Sequence, residues 1–372
     1  MELWGGLYES VLSVAVDGSE FVNQDPMFAR LHQLEKCRSR EEVNGILAQF
    51  SENERNRMNS PLLDLLFHAN DIAKVARSDV KHVEFLLDRC MVNSPYDLMF
   101  RACSVGNREV VAMVIDRGAS IHAAKDWALT EAAANGHKEV VELLLQRGAT
   151  VNSQDNAALK WAAANGHKEV VELLLQRGAN LHVEDDCALQ RAAANGHKEV
   201  VELLLQRGAS IHAEDDYALQ GAAANGHKEV VELLLDRGAN LHANEDDALC
   251  RAASNGHKQV VELLLQRGAE LHVGDDHALQ RAAANGHKDA VELLLDRGAD
   301  VHARDDMALR WAAENGHKDV VELLLDRGAD LHARNDFPLF SASAMGHKDV
   351  VELLLRRGAN PTRLYPSYTL PS

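Results

Sequence analysis

Aromatic residues are scarce in this chain, 5% of 372 positions, and there are only seven prolines. The five cysteines, Cys37, Cys90, Cys103, Cys187 and Cys250, are odd in number and fit no metal-ligand spacing. That argues against a disulfide framework and for a reducing, cytoplasmic setting. Basic residues are outnumbered, 39 against 57 acidic ones, which gives a formal charge of −18. Such a balance repels nucleic-acid phosphates and anionic lipid surfaces, so neither is expected as a partner, and it favours a basic one. No apolar run approaches the roughly 20 residues of a spanning helix, because a glutamate cuts each Val-Glu-Leu-Leu-Leu stretch. Met1 to Phe21 shows no basic leader, and the apolar stretch around Val11 to Val16 is short for a secretory signal. With 46% hydrophobic and 26% charged residues, the composition is that of a folded protein.

The chain is rich in repetition. Asn-Gly-His recurs at residues 135, 165, 195, 225, 255, 285 and 315, flanked by Val105-Gly106-Asn107 before and Met345-Gly346-His347 after. Gly106 and Gly346 are therefore eight steps of 30 residues apart without an insertion. Only a stack of like supersecondary units keeps such a count.

Within one unit, Asp186 to Asp215, the residues Leu189, Ala192 and Ala193 fall at helical spacing. Gly196 then breaks the chain, and Val200, Val201, Leu203, Leu204 and Leu205 make a second apolar face. The pattern predicts a short helix, a tight turn and a longer helix that ends in Arg-Gly. There glycine can take the left-handed conformation and arginine faces the negative end of the helix dipole. The residue before each short helix is Asp126, Asn156, Asp186, Asp216, Asp246, Asp276, Asp306 or Asp336, side chains that predict helix N-caps. The segment between units reads as a short extended finger reaching the next repeat.

Residues 192 to 209, Ala-Ala-Ala-Asn-Gly-His-Lys-Glu-Val-Val-Glu-Leu-Leu-Leu-Gln-Arg-Gly-Ala, resemble the helix-turn-helix signature of the ankyrin repeat family. The family's usual unit is 33 residues, and the three missing here come from the finger, where Asp216-Tyr217-Ala218-Leu219-Gln220 stands for the family's Gly-x-Thr-Pro-Leu-His. Only Phe337-Pro338-Leu339-Phe340 keeps the proline. Shortened repeats of this kind are similar to those of large DNA viruses and of bacterial effectors injected into host cells. The resemblance implies an all-α repeat solenoid of stacked helix-turn-helix units with short finger loops, acting as a non-enzymatic scaffold that binds another protein in its concave groove. An effector of this kind would work in the host cytosol. The expected organisation is a helical cap or small domain over 1–60, a degenerate capping repeat over 61–94, nine repeats over 95–360 and a tail over 361–372. An adaptor or enzymatic activity in residues 1–60, with the repeats as its targeting arm, is the alternative.

Chemistry is sparse in the periodic part. Fifteen of the 19 histidines belong to the repeat, one set following glycine and one in the finger. Copies spaced by about 10 Å cannot converge on one ion, so these histidines read as structural hydrogen-bonding groups. No nucleophile, base and orienting group converge either, so no catalytic residue, metal or cofactor is expected.

The informative positions keep the spacing and change the chemistry. The first residue of the short helix is Trp127, Ala157, Cys187, Tyr217, Asp247, His277, Met307 and Phe337 in turn. Four residues on, the series is Glu131, Trp161, Arg191, Gly221, Arg251, Arg281, Trp311 and Ser341, and the slot before it runs Thr130, Lys160, Gln190, Gln220, Cys250, Gln280, Arg310 and Phe340. The resemblance places the last two slots on the groove side. Tryptophan and arginine dominate binding energy at protein interfaces, so Trp127, Glu131, Trp161, Arg191, Tyr217, Arg251, His277, Arg281, Arg310 and Trp311 are the expected partner-binding residues. The finger tips add an acidic edge, Glu184, Asp185, Glu214, Asp215, Asp275 and Asp305, suited to a basic segment of the partner. A monomer is expected.

Overall fold

The computed structural model describes residues 95–366, together with the single positions Gln49 and Tyr368. The expected cap over 1–60 and degenerate repeat over 61–94 lie outside the described residues. Among the described residues there are eighteen α-helices and no strand. The first helices of successive repeats are α1 (Pro95–Val105), α3 (Trp127–Ala134), α5 (Ser153–Ala164), α7 (Cys187–Ala194), α9 (Tyr217–Ala224), α11 (Asp247–Ser254), α13 (His277–Ala284), α15 (Ala303–Glu314) and α17 (Ala333–Met345). Their partners are α2 (Arg108–Asp116), α4 (Lys138–Gln146), α6 (Lys168–Gln176), α8 (Lys198–Gln206), α10 (Lys228–Asp236), α12 (Lys258–Gln266), α14 (Lys288–Asp296), α16 (Lys318–Asp326) and α18 (Lys348–Arg356).

The chain divides into two compact units. One runs to Leu159 and includes Leu173–Ala179, and the other comprises Lys160–Glu172 and Asn180 onward. In the first unit α1 packs on α2 and α3, and α4 on α2 and α3. In the second, the first helices from α7 to α17 pack in succession, the second helices from α8 to α18 do likewise, and each helix packs on its hairpin partner. Alanine permits the close approach. Ala192, Ala193, Ala222 and Ala223 are fully buried, and Val200, Val201 and Leu204 close the core from the second helix.

Each hairpin turn is held by the backbone itself. The Gly196 amide donates to the Ala193 carbonyl and the His197 amide to the Ala192 carbonyl, at 3.1 and 2.9 Å. This is a left-handed glycine closure of a helix end. The turn then joins the neighbouring repeat: Asn225 Nδ2 and His227 Nε2 both donate to the Ala194 carbonyl, at 2.8 and 3.0 Å. The same pair recurs from Asn195 and His197 to Ala164, and from Asn315 and His317 to Ala284. A carbonyl that the helix end leaves without a partner is thus satisfied by the next unit. The histidine ring also covers the previous turn. At Gly226, φ is +79° and an added Cβ would sit 2.5 Å from His257 Nδ1, so nothing larger than glycine fits.

The arginine that ends each second helix reaches back one repeat. Arg207, Arg237 and Arg297 pair with Glu172, Glu202 and Glu262. These exposed ion pairs are worth about 0–1 kcal/mol each. They add register more than stability.

Two expectations about the finger are corrected. The first is its conformation: three consecutive residues are left-handed, as at Glu184, Asp185 and Asp186 with φ of 50°, 51° and 59°, so the segment is a compact turn instead of an extended finger. Glu214-Asp215-Asp216 and Arg304-Asp305-Asp306 repeat the form. The second is the role of the aspartate. Asp186, Asp216 and Asp276 make no side-chain cap on their own helices, because at φ near +60° the carboxylate is turned away from the helix start. It is buried and used between repeats: Asp216 Oδ1 accepts from the Asn240 amide at 2.8 Å and lies 3.1 Å from His212 Nδ1. Asp126 does the same in the first unit with Thr150 and His122. The finger histidines therefore hold the buried carboxylates, and the turn histidines hold backbone carbonyls.

Candidate partner-binding face

The left-handed turn sets the face beside it. Its carbonyls require donors, and in four repeats the slot three residues into the first helix supplies them. Gln190, Gln220 and Gln280 donate through Nε2 to the carbonyls of Asp185, Asp215 and Asp275 at 2.8, 2.8 and 2.6 Å. In the next repeat Arg310 takes this part, with Nε on the Asp305 carbonyl at 2.9 Å and Nη2 on the Arg304 carbonyl at 2.8 Å. Arg310 is 6% exposed, and burial pushes its guanidinium below the usual arginine value. The expectation that it belongs to an exposed stripe is therefore corrected: a side chain long enough to bond two turn carbonyls is drawn under the surface.

The following slot is exposed at Trp161 and Arg281, half-buried at Arg191, Gly221, Arg251 and Trp311, and buried at Ser341. Trp161 is 44% exposed, and the Arg191 guanidinium lies over its ring at 5.3 Å from the centroid. One pair further on, Arg251 lies over Tyr217 at 5.9 Å, and Arg281 over Trp311 at 5.7 Å. Each arginine is also tied back four residues along its own helix. Arg191 Nε donates to Cys187 Sγ at 3.1 Å, Arg281 Nε to His277 Nε2 at 2.9 Å, and Arg251 Nε to Asp247 Oδ2. Receiving that bond suits a neutral imidazole, and burial together with Arg281 and Arg304 holds His277 below the ordinary histidine value. Trp161, Arg191, Tyr217, Arg251, His277, Arg281 and Trp311 are thus joined pairwise along the first helices. Gly221 leaves a side-chain-free position between Arg191 and Arg251.

Trp127 and Glu131 lie in the first unit. Trp127 is 41% exposed and stacks on Phe100 with ring centroids 6.4 Å apart, while Glu131 Oε1 accepts from Asn135 Nδ2 at 3.1 Å. In the finger row, half of the acids are already paired. Lys160 Nζ holds both oxygens of Glu184 at 2.9 Å and keeps that carboxyl below its usual range. Arg304 pairs with Asp275 and Arg334 with Asp305. Asp185, Glu214 and Asp215 have no ion-pair partner among the described residues.

The two buried thiols among the described residues are poor nucleophiles. Burial, with a contribution from Glu131, pushes Cys103 up to about 12, and burial with nearby acids pushes Cys250 up to about 11, so both stay protonated at neutral pH. Among the described residues no three metal-ligating side chains cluster, and no helix is long and apolar enough to cross a membrane.

The family profile for ankyrin repeats (3 copies) matches residues 72–155, 98–185, 129–215, 189–275, 219–305 and 279–364. The chain belongs to the ankyrin repeat family. No curated protein matches it. Ankyrin repeats are in general protein-protein interaction modules, and the 30-residue spacing here gives an ankyrin solenoid in which the finger is shortened and the helix-turn-helix is complete. Sequence reasoning missed the pairing of rings with guanidinium groups. The signal was present in the register: Trp161 and Arg191, like Arg281 and Trp311, occupy one slot 30 residues apart.

Proposed function

We propose that this ankyrin array is a monomeric, non-catalytic scaffold that docks one partner protein along the first-helix face of its second unit. The single observation that supports this reading most is the row of exposed and half-buried Trp161–Arg191, Tyr217–Arg251 and Arg281–Trp311 pairs on a scaffold whose core hardly varies. Tryptophan and arginine are the residues that carry most energy in protein interfaces, and a stacked guanidinium loses little further freedom on binding. The unpaired finger acids Asp185, Glu214 and Asp215 lie on neighbouring finger turns and complement a basic segment of the same partner.

The test is a Trp161→Ala, Trp311→Ala double variant. Both rings lie outside the core, so unfolding by urea should shift by no more than about 1 kcal/mol, while affinity capture of cellular partners, identified by mass spectrometry, should fall at least tenfold. Undiminished capture by the folded double variant contradicts the reading.

A further inference from the structure

The three ring-paired arginines are not equivalent. Each has its Nε engaged within its own helix and one face of its guanidinium covered by a ring. The edge carrying Nη1 and Nη2 is left. For Arg251 the charge is already met by Asp247, its carboxylate partner. Arg191 and Arg281 bond instead to the Cys187 and His277 side chains, and neither forms a direct ion pair with a carboxylate among the described residues; Glu184, which feels the Arg191 charge, has both oxygens held by Lys160 at 2.9 Å. In a chain of net charge −18, these two cations make no direct ion pair while acids elsewhere are paired off by lysine and arginine.

A guanidinium held by its Nε and its face, with the fork edge outward, has the geometry that receives a carboxylate through two parallel hydrogen bonds. The pre-set orientation removes most of the ordering cost that a surface arginine would otherwise meet. Phosphate shares the fork geometry, but the acidic field of the whole chain opposes a dianion more than a monoanion. The two positions are three repeats apart, roughly 24–30 Å at the usual helix spacing, a distance that a helix of roughly 16–20 residues spans.

We propose that Arg191 and Arg281 are paired carboxylate receptors, so that the docked partner presents two acidic side chains to them across the Gly221 gap. This rests on the docking reading above and adds the partner's chemistry. The finger acids would take the basic residues of the same segment, which gives a partner of mixed charge.

Selection of a random peptide library displayed on phage against the full chain, at physiological salt, tests it. The expected result is enrichment of peptides bearing two separated Asp or Glu residues. Arg191→Gln or Arg281→Gln should weaken their binding about tenfold each, as expected for a charge-assisted bond. Arg191→Lys and Arg281→Lys should lose most of the same affinity, because lysine keeps the charge and lacks the fork. Selected peptides no more acidic than the library, or acidic peptides that bind R191Q/R281Q as tightly as the parent, overturn the carboxylate assignment. If such peptides still require Trp161 and Trp311, the docking face stands and only this inference falls. If no selected peptide depends on the tryptophans or the arginines, both fall.

Discussion

The turn end and the finger end of each repeat both force the chain into left-handed backbone, and they hold it there by different means. At the turn a single glycine takes the positive φ, its helix end closes through local amide bonds, and the next repeat's histidine settles on it. At the finger up to three successive non-glycine residues are left-handed, at a cost of roughly 1–2 kcal/mol each. That cost is offset only by bonds from elsewhere, namely the His–Asp pair, the amide of the next repeat and the glutamine or Arg310 donor. The turn is therefore a local structure that tolerates no added volume. The finger is a cooperative one that tolerates no lost hydrogen bond. The proposed docking face borders the finger, so its side chains are positioned by the part of the repeat that depends most on stacking.

The sharpest break in this comparison should come at the turn. Gly226→Ala places a methyl against the His257 ring as well as in a left-handed backbone, and should cost about 2–5 kcal/mol in urea unfolding. Gly346→Ala shares φ near +80° but meets nothing within 4 Å, and should cost only about 1–2 kcal/mol. Equal losses would mean that the histidine packing is irrelevant. At the finger, Asp216→Ala removes the buried carboxylate that accepts from the Asn240 amide and should cost about 1–3 kcal/mol. Asp216→Asn keeps an oxygen there and should cost less than half as much.

A smaller effect of opposite sign should come from Glu214→Gly, which relieves one left-handed residue at the expense of a more flexible unfolded chain and should stabilise by no more than about 1 kcal/mol. Gly274 already occupies the equivalent place. The smallest effect should be electrostatic. His277 is held below its ordinary value by burial and by Arg281, so as pH falls the unfolded chain takes up this proton first. Folding then loses stability below the ordinary imidazole range, and the loss levels off once the folded state is protonated too. An NMR titration should place the His277 midpoint below the ordinary imidazole value, and His277→Gln should flatten this part of the stability profile.

Much of this was legible in the chain itself. The 30-residue step, Asn-Gly-His and the Val-Glu-Leu-Leu-Leu runs determine the hairpin, its core and its stacking, because glycine and helical periodicity act locally. Asp216 misled because its residue type suits a helix cap, whereas its use depends on a φ of +61° set by the shortened finger. Arg310 misled for a related reason: in a series of glutamines it reads as a surface change, and only the turn carbonyls show why a long donor is buried. The pairing of Arg191 with Trp161 needed the repeats to be laid in register, since no local pattern relates residues 30 apart.

The most direct test of the docking face is photo-crosslinking with a benzophenone amino acid placed in turn at Gly221, in the middle of the first-helix slot, and at Glu232, on the outer side of a second helix. Glu232 is exposed, and at Gly221 an added Cβ meets the Ala194 methyl at 3.2 Å, a contact that a shift of a few tenths of an ångström relieves. Both variants should therefore fold, as a urea unfolding curve of each checks. A partner adduct from position 221 and none from position 232 is the result expected here. An adduct from 232 with none from 221 would mean that the varied first-helix residues do not meet the partner.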